Sequence, residues 1–149
     1  MPKRRVPAEA VLPGGGVRRI SLFLAEAACG HAGPERPLDL LNGGGEFVPA
    51  FDEDAEAMTF LNRSALALVR VDRALEPAGV DTAPTEHRVE VLLDGGETLR
   101  GTVSYVRPPE RARLQDFLNE PAPFFRLAEE RAIALVNRRH VARVAIVRP

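Results

Sequence analysis

The stretch Glu129-Glu-Arg-Ala-Ile-Ala-Leu-Val-Asn-Arg-Arg-His-Val-Ala142 decides the fold. Its many helix-favouring residues would allow one continuous helix. A second stretch argues otherwise. Asp52-Glu-Asp54, followed by Met58-Thr-Phe60 and Leu61-Asn-Arg63, carries β-branched and aromatic residues at matching places, and Phe60-Leu-Asn-Arg63 aligns with Leu135-Val-Asn-Arg138. Beyond the shared Asn-Arg pair, Leu66, Val69 and Val71 line up with Val141, Val144 and Ile146. Two strands around a tight polar turn satisfy both stretches, whereas a helix satisfies only one. The chain is therefore predicted to be mainly β, with α+β as the alternative class.

Working outward, the same self-similarity extends upstream. Asp39-Leu-Leu-Asn42 matches Asp116-Phe-Leu-Asn119, and a phenylalanine follows each element at the same distance, Phe47 and Phe124. At the front, the alternation Ile20, Leu22, Leu24 is matched to Val89, Val91, Leu93, which leaves the first copy short at one hairpin. Residues 1–16, with three prolines and the triplet Gly14–Gly16, read as a flexible arm. Pro77, Gly79 and Pro84 interrupt residues 72–86, which read as a linker. Two β repeats are expected, at 17–71 and 87–149.

The clearest hairpin spans 88–93 and 98–106, joined by the turn signal Asp94-Gly-Gly-Glu97. Leu99, Gly101, Val103 and Tyr105 share one face, and Arg100, Thr102 and Ser104 the other. Each copy thus reads as a small bent β unit, about five short strands of the SH3-like kind, with Asp-x-Leu-Asn as a turn or a single helical turn. Such a unit has a thin core, and fusing two lets each cover an open edge of the other.

The run Val89-Glu-Val-Leu-Leu-Asp-Gly-Gly-Glu-Thr-Leu-Arg-Gly-Thr-Val103, followed by Ala134-Leu-Val-Asn-Arg-Arg-His-Val-Ala-Arg-Val144, resembles the paired motifs of Sm-like proteins, the LSm and bacterial Hfq group. The resemblance covers about a third of the chain. It implies a bent five-stranded barrel, ring assembly through edge strands, and RNA contact by turn residues near Asp116, Asn119, Asn137 and Arg138. Residues 111–119, with Phe124-Phe-Arg-Leu127, also resemble a group of small bacterial proteins, a likeness that carries no activity.

Charge and composition narrow the chemistry. Twenty Lys and Arg against 21 Asp and Glu leave a net charge of −1, so no bulk field marks a general nucleic-acid binder. The basic residues are nineteen arginines and one lysine, Lys3, and only clustered arginines are informative. One cysteine, Cys29, rules out an intrachain disulfide, and no apolar run nears the roughly 20 residues of a membrane helix. A reduced, cytoplasmic setting is expected.

Cys29-Gly-His31 is the one pairing of thiol and imidazole close in sequence, but the second copy has no equivalent. His31, His87 and His140 lie far apart, so neither a metal nor another cofactor is expected. The triplets Gly14–Gly16 and Gly43–Gly45 lack the Lys-Ser/Thr of a phosphate loop. Asp39, Asn42, Asp116 and Asn119 suit turn capping, or a polar pocket built twice. Arg111, Arg113, Arg138, Arg139 and Arg143 form the one regional concentration of positive charge, with Asn137 at the same turn. These residues suggest a non-enzymatic adaptor or ligand-sensing module, taking a protein partner, a second copy or a small anion. The alternatives are an Sm-like RNA binder that also uses Phe117, and an enzyme built on Cys29.

Overall fold

A computed structural model describes residues 3–28, 30–79 and 83–148. The first half contains β1 (Lys3–Val11), β2 (Val17–Ala25), α1 (Pro37–Leu41), β3 (Phe47–Asp52), β4 (Ala57–Asn62), a 3₁₀ turn at Arg63–Ala65 and β5 (Leu68–Val71). The second contains β6 (Thr85–Leu93), β7 (Thr98–Tyr105), α2 (Leu114–Leu118), β8 (Phe124–Ala128), β9 (Ile133–Asn137), a 3₁₀ turn at Arg138–His140 and β10 (Val141–Ile146). The deciding stretch is thus two strands about a polar turn, as read from the sequence.

All ten strands form one antiparallel sheet in the order β10-β6-β7-β8-β9-β5-β1-β2-β3-β4. Each half has the same internal order, its last strand placed beside its first. The sheet is not closed into a barrel: β10 and β4 stand at its two ends, unpaired on one side. This corrects the barrel expectation. In place of two closed units, the halves are joined edge to edge by β5 and β9, with Leu68, Val69, Arg70 and Val71 opposite Val136, Leu135, Ala134 and Ile133.

Two further expectations are corrected. Residues 1–16 are not a flexible arm: Lys3–Val11 is a central strand between β5 and β2, and Val6, Ala8, Ala10 and Val11 are buried. The front match also shifts. Cross-strand partners Glu9↔Arg19 and Glu90↔Arg100 make β1 the counterpart of β6, and β2 that of β7. Ile20, Leu22 and Leu24 therefore correspond to Gly101, Val103 and Tyr105, while Val89 and Val91 correspond to Ala8 and Ala10. Within the predicted linker, Arg73–Leu75 forms a 3₁₀ turn, and β6 already begins at Thr85.

Gly101 is required by packing. A Cβ there would lie 2.5 Å from the Ala128 carbonyl oxygen and 2.9 Å from Leu127 Cγ, so only glycine lets β7 approach β8 this closely.

The apolar core is shared across the junction. Phe124, Ile133 and Leu135 of the second half cluster with Ile20, Leu22, Leu41, Leu66, Val69 and Val71 of the first. Val11, Ala67 and Leu68 of the first half in turn join the cluster around Val91, Leu127 and Val136. Neither half completes its core alone.

Candidate interaction site at the repeated turns and open edges

The two Asp-x-Leu-Asn elements are short helices built alike. Asp39 and Asp116 are third in α1 and α2, and their carboxylates accept the N–H of Arg36 (2.9 Å) and Arg113 (3.3 Å). These bonds satisfy N–H groups at the helix start, the capping role anticipated for them. His31 Nε2 also lies 2.6 Å from Asp39 Oδ2. The hydrogen bond from its ring to the Ala32 carbonyl, then the Asp39 carboxylate, hold the His31 pKa above its ordinary value.

The asparagines that close these helices behave differently. The Asn42 amide reaches across the junction, accepting from Phe124 N–H at 2.8 Å and donating to the Phe124 carbonyl at 3.1 Å. It pairs with that backbone as another strand would. Asn119, at the same place on α2, is exposed and forms no side-chain hydrogen bond among the described residues.

The Asn-Arg turns show a similar contrast. Asn62 and Asn137 each cap a 3₁₀ turn, accepting from Ser64 N–H and Arg139 N–H, both at 3.0 Å. Asn137 is buried and also donates to the carbonyls of Leu66 (3.0 Å) and Arg63 (3.2 Å) in the other half. His140 Nε2 adds a 2.6 Å contact to the Ser64 carbonyl.

Two arginines of the cluster, Arg138 and Arg113, are engaged within the fold. The Arg138 guanidinium donates to the carbonyls of Phe117 (3.0 Å), Leu118 (3.1 Å) and Ala122, and lies 5.3 and 5.1 Å from the Phe117 and Phe125 ring centres. Burial lowers its pKa from the usual arginine value. It holds the α2–β8 connection, as Arg63 holds residues 40–45 through the carbonyls of Leu40 (2.9 Å), Gly44 and Gly45. Phe117 is buried, stacked on Tyr105 at 4.8 Å. Arg113 pairs with Asp116 at 3.3 Å. Arg111, Arg139 and Arg143 are exposed, and their side chains make no hydrogen bond or ion pair among the described residues.

The feature that sequence reasoning missed is apolar. Phe124, Ile133 and Leu135 are at most 1% exposed, whereas their repeat counterparts Phe47, Met58 and Phe60 are 55%, 52% and 65% exposed. At the other end of the sheet, Ile146 is 57% exposed, and its counterpart Val71 only 3%. These four exposed side chains lie toward the free edges, on β3–β4 and on β10, while Leu12, Val17 and Val106 are exposed elsewhere. Beside β10, Leu118, Phe125, Val141 and Val144 help line a cavity of about 260 Å³.

Cys29 lies outside the described residues, so its pairing with His31 has no structural description. Among the described residues, no group of three or more His, Cys, Asp or Glu side chains could hold a metal, and no helix is long and apolar enough to cross a membrane. Compared with protein-family models, curated proteins and solved structures, the chain matches none.

Proposed function

We propose that the chain is a non-enzymatic adaptor whose free edges β4 and β10 take up protein partners by strand addition. The observation that carries this reading is the exposure of Phe47, Met58 and Phe60 at one edge, when the same repeat positions are sealed at the junction. An open edge offers unpaired backbone N–H and C=O groups, and proteins usually guard such edges with charge, proline or a bulge. Here β4 carries Ala57-Met-Thr-Phe-Leu-Asn62, with no charge and no proline. Adjacent apolar side chains supply affinity, and backbone pairing supplies direction.

RNA binding through Arg138, Asn119 and Phe117 has less support. Arg138 is committed to carbonyl oxygens and Phe117 to the core, so base stacking there would dismantle the α2 region. Arg111, Arg139 and Arg143 remain available for phosphate or acidic groups.

The test is a reconstituted binding assay. Proteins retained from native extract by the wild-type chain are identified, purified and titrated against wild type, Phe60→Lys, and Arg139→Ala with Arg143→Ala. Loss of binding with Phe60→Lys supports the adaptor reading. Unchanged binding by Phe60→Lys, or retention of RNA that weakens with salt and needs the arginines, would overturn it.

A further inference from the structure

Resting on the adaptor reading, we propose that the edge partner is a second copy of this chain, joined head to tail, with β4 of one copy paired to β10 of the next. The template is inside the molecule. At the junction, the edge strand of the second half (β9) pairs antiparallel with the last strand of the first (β5). The remaining edges, β4 and β10, are the repeat counterparts of those two strands. Transferring the register Val69↔Leu135 and Val71↔Ile133 sets Val144 opposite Phe60 and Ile146 opposite Met58 of the other copy.

Three observations at these edges fit such a joint. The first is a projecting apolar group: Phe47, Met58 and Phe60 are bare where Phe124, Ile133 and Leu135 insert into the neighbouring half. The second is a receiving cavity, about 260 Å³, lined in part by Leu118, Val141 and Val144. Their counterparts Leu41, Leu66 and Val69 belong to the cluster that receives Phe124 at the junction. The third is polar. Asn119 is exposed and unbonded where Asn42 grips the Phe124 backbone, which places the Phe47 backbone of the next copy as its partner.

Strand pairing of this kind is heterologous: the two surfaces differ, so each added copy presents the same free edges again. A symmetric pairing of β4 with β4 would set bare Phe60 side chains near one another but leave the cavity beside β10 empty.

Mixing variants that each lack one edge tests the joint. Phe60→Glu removes the projecting side and Ile146→Glu the receiving side, both at exposed positions, with circular dichroism confirming the fold. Wild type should form assemblies larger than one chain by light scattering, and each variant alone should associate about 30-fold more weakly or worse. An equimolar mixture should recover a 1:1 pair, because the intact β10 of the first variant meets the intact β4 of the second. Asn119→Ala should weaken wild-type assembly without moving the unfolding midpoint of the single chain.

A wild type that stays a single chain throughout the concentration range overturns this inference, as do variants that each self-associate like wild type, or a mixture that forms no pair. The adaptor reading fails separately, by the reconstituted partner assay, since a monomeric chain can still lose a different protein partner through Phe60→Lys. Should either glutamate variant misfold, Met58→Cys with Ile146→Cys, in a Cys29→Ser background under mild oxidation, provides the second measurement. Disulfides linking different chains support the joint, and crosslinking by Met58→Cys alone overturns it.

Discussion

At the junction of the two halves, Phe124, Ile133 and Leu135 are sealed in a shared core, and the Asn42 and Asn137 amides are spent on backbone groups of the opposite half. At the free edges, Phe47, Met58 and Phe60 face solvent, and Asn119 has no partner among the described residues. The same repeat positions thus have opposite environments. Whether a residue at these places is core or surface depends on the neighbouring half, and the junction shows what a filled edge looks like.

The sharpest way to break this comparison is at the paired phenylalanines. Phe124→Ala should cost about 3–5 kcal/mol, the range for truncating a buried aromatic. Phe47→Ala, studied dilute enough to keep single chains, should change stability by less than about 0.5 kcal/mol, as at other exposed positions. Urea unfolding of both variants measures the difference. Equal costs would mean that the two sites are not in opposite environments.

The asparagines that cap the 3₁₀ turns give the next largest contrast. Asn137→Ala removes a turn cap, strands the buried Leu66 carbonyl and takes one donor from the half-buried Arg63 carbonyl, and should cost about 2–4 kcal/mol. Asn62→Ala loses the cap and an exposed bond from the Ser64 hydroxyl, but strands no buried group, a cost of about 1 kcal/mol. A smaller gap is expected one element upstream. Asn42→Ala should lower the unfolding free energy by about 1–2 kcal/mol. Asn119→Ala should leave a single chain nearly unchanged, by the same denaturation measurement.

Much of this arrangement was legible in the sequence, and the misses have physical causes. The repeated Asn-Arg turns and alternating tails revealed the strands of residues 129–146, because a period of two survives even among helix-favouring residues. The arm was misread because the inward positions of β1 are Val6, Ala8 and Ala10, and alanine gives a weak apolar signal beside Lys3, Arg4, Arg5 and Pro7. That error displaced the front of the repeat by one strand. The capping aspartates were readable because the interaction is local, spanning three residues. The role of Asn42 was not, since its partner Phe124 lies in the other copy, 82 positions away. The structural role of Arg138 was not legible because sequence shows the charge at a turn, but not the carbonyl oxygens of residues 117–122 converging on it.

The smallest effect expected concerns Glu76, which fastens the first half's helix to the connecting segment and has no equivalent at α2. The residue is 2% exposed, and its carboxylate accepts the Leu38 N–H at 2.9 Å, with an Arg36 nitrogen 4.0 Å away. Among the described residues, no carboxylate accepts from the N–H of Gln115, the corresponding residue of α2. Burial is the leading influence on Glu76 and raises its pKa above the ordinary glutamate value, outweighing the Leu38 bond and the arginine. Because the folded-state pKa is raised, the native state favours the protonated acid. This group's stabilising contribution is full below the unfolded-state pKa of about 4.3, and it is lost as pH rises through the raised folded value. Glu76→Gln keeps an oxygen to accept the Leu38 N–H and carries no charge to bury. Its stability relative to wild type should therefore climb between about pH 4 and pH 7, with little relative change below that range. Chemical denaturation of both proteins across this range checks the sign. A relative stability that falls with pH would show that Arg36 and the Leu38 N–H, rather than burial, govern the carboxyl.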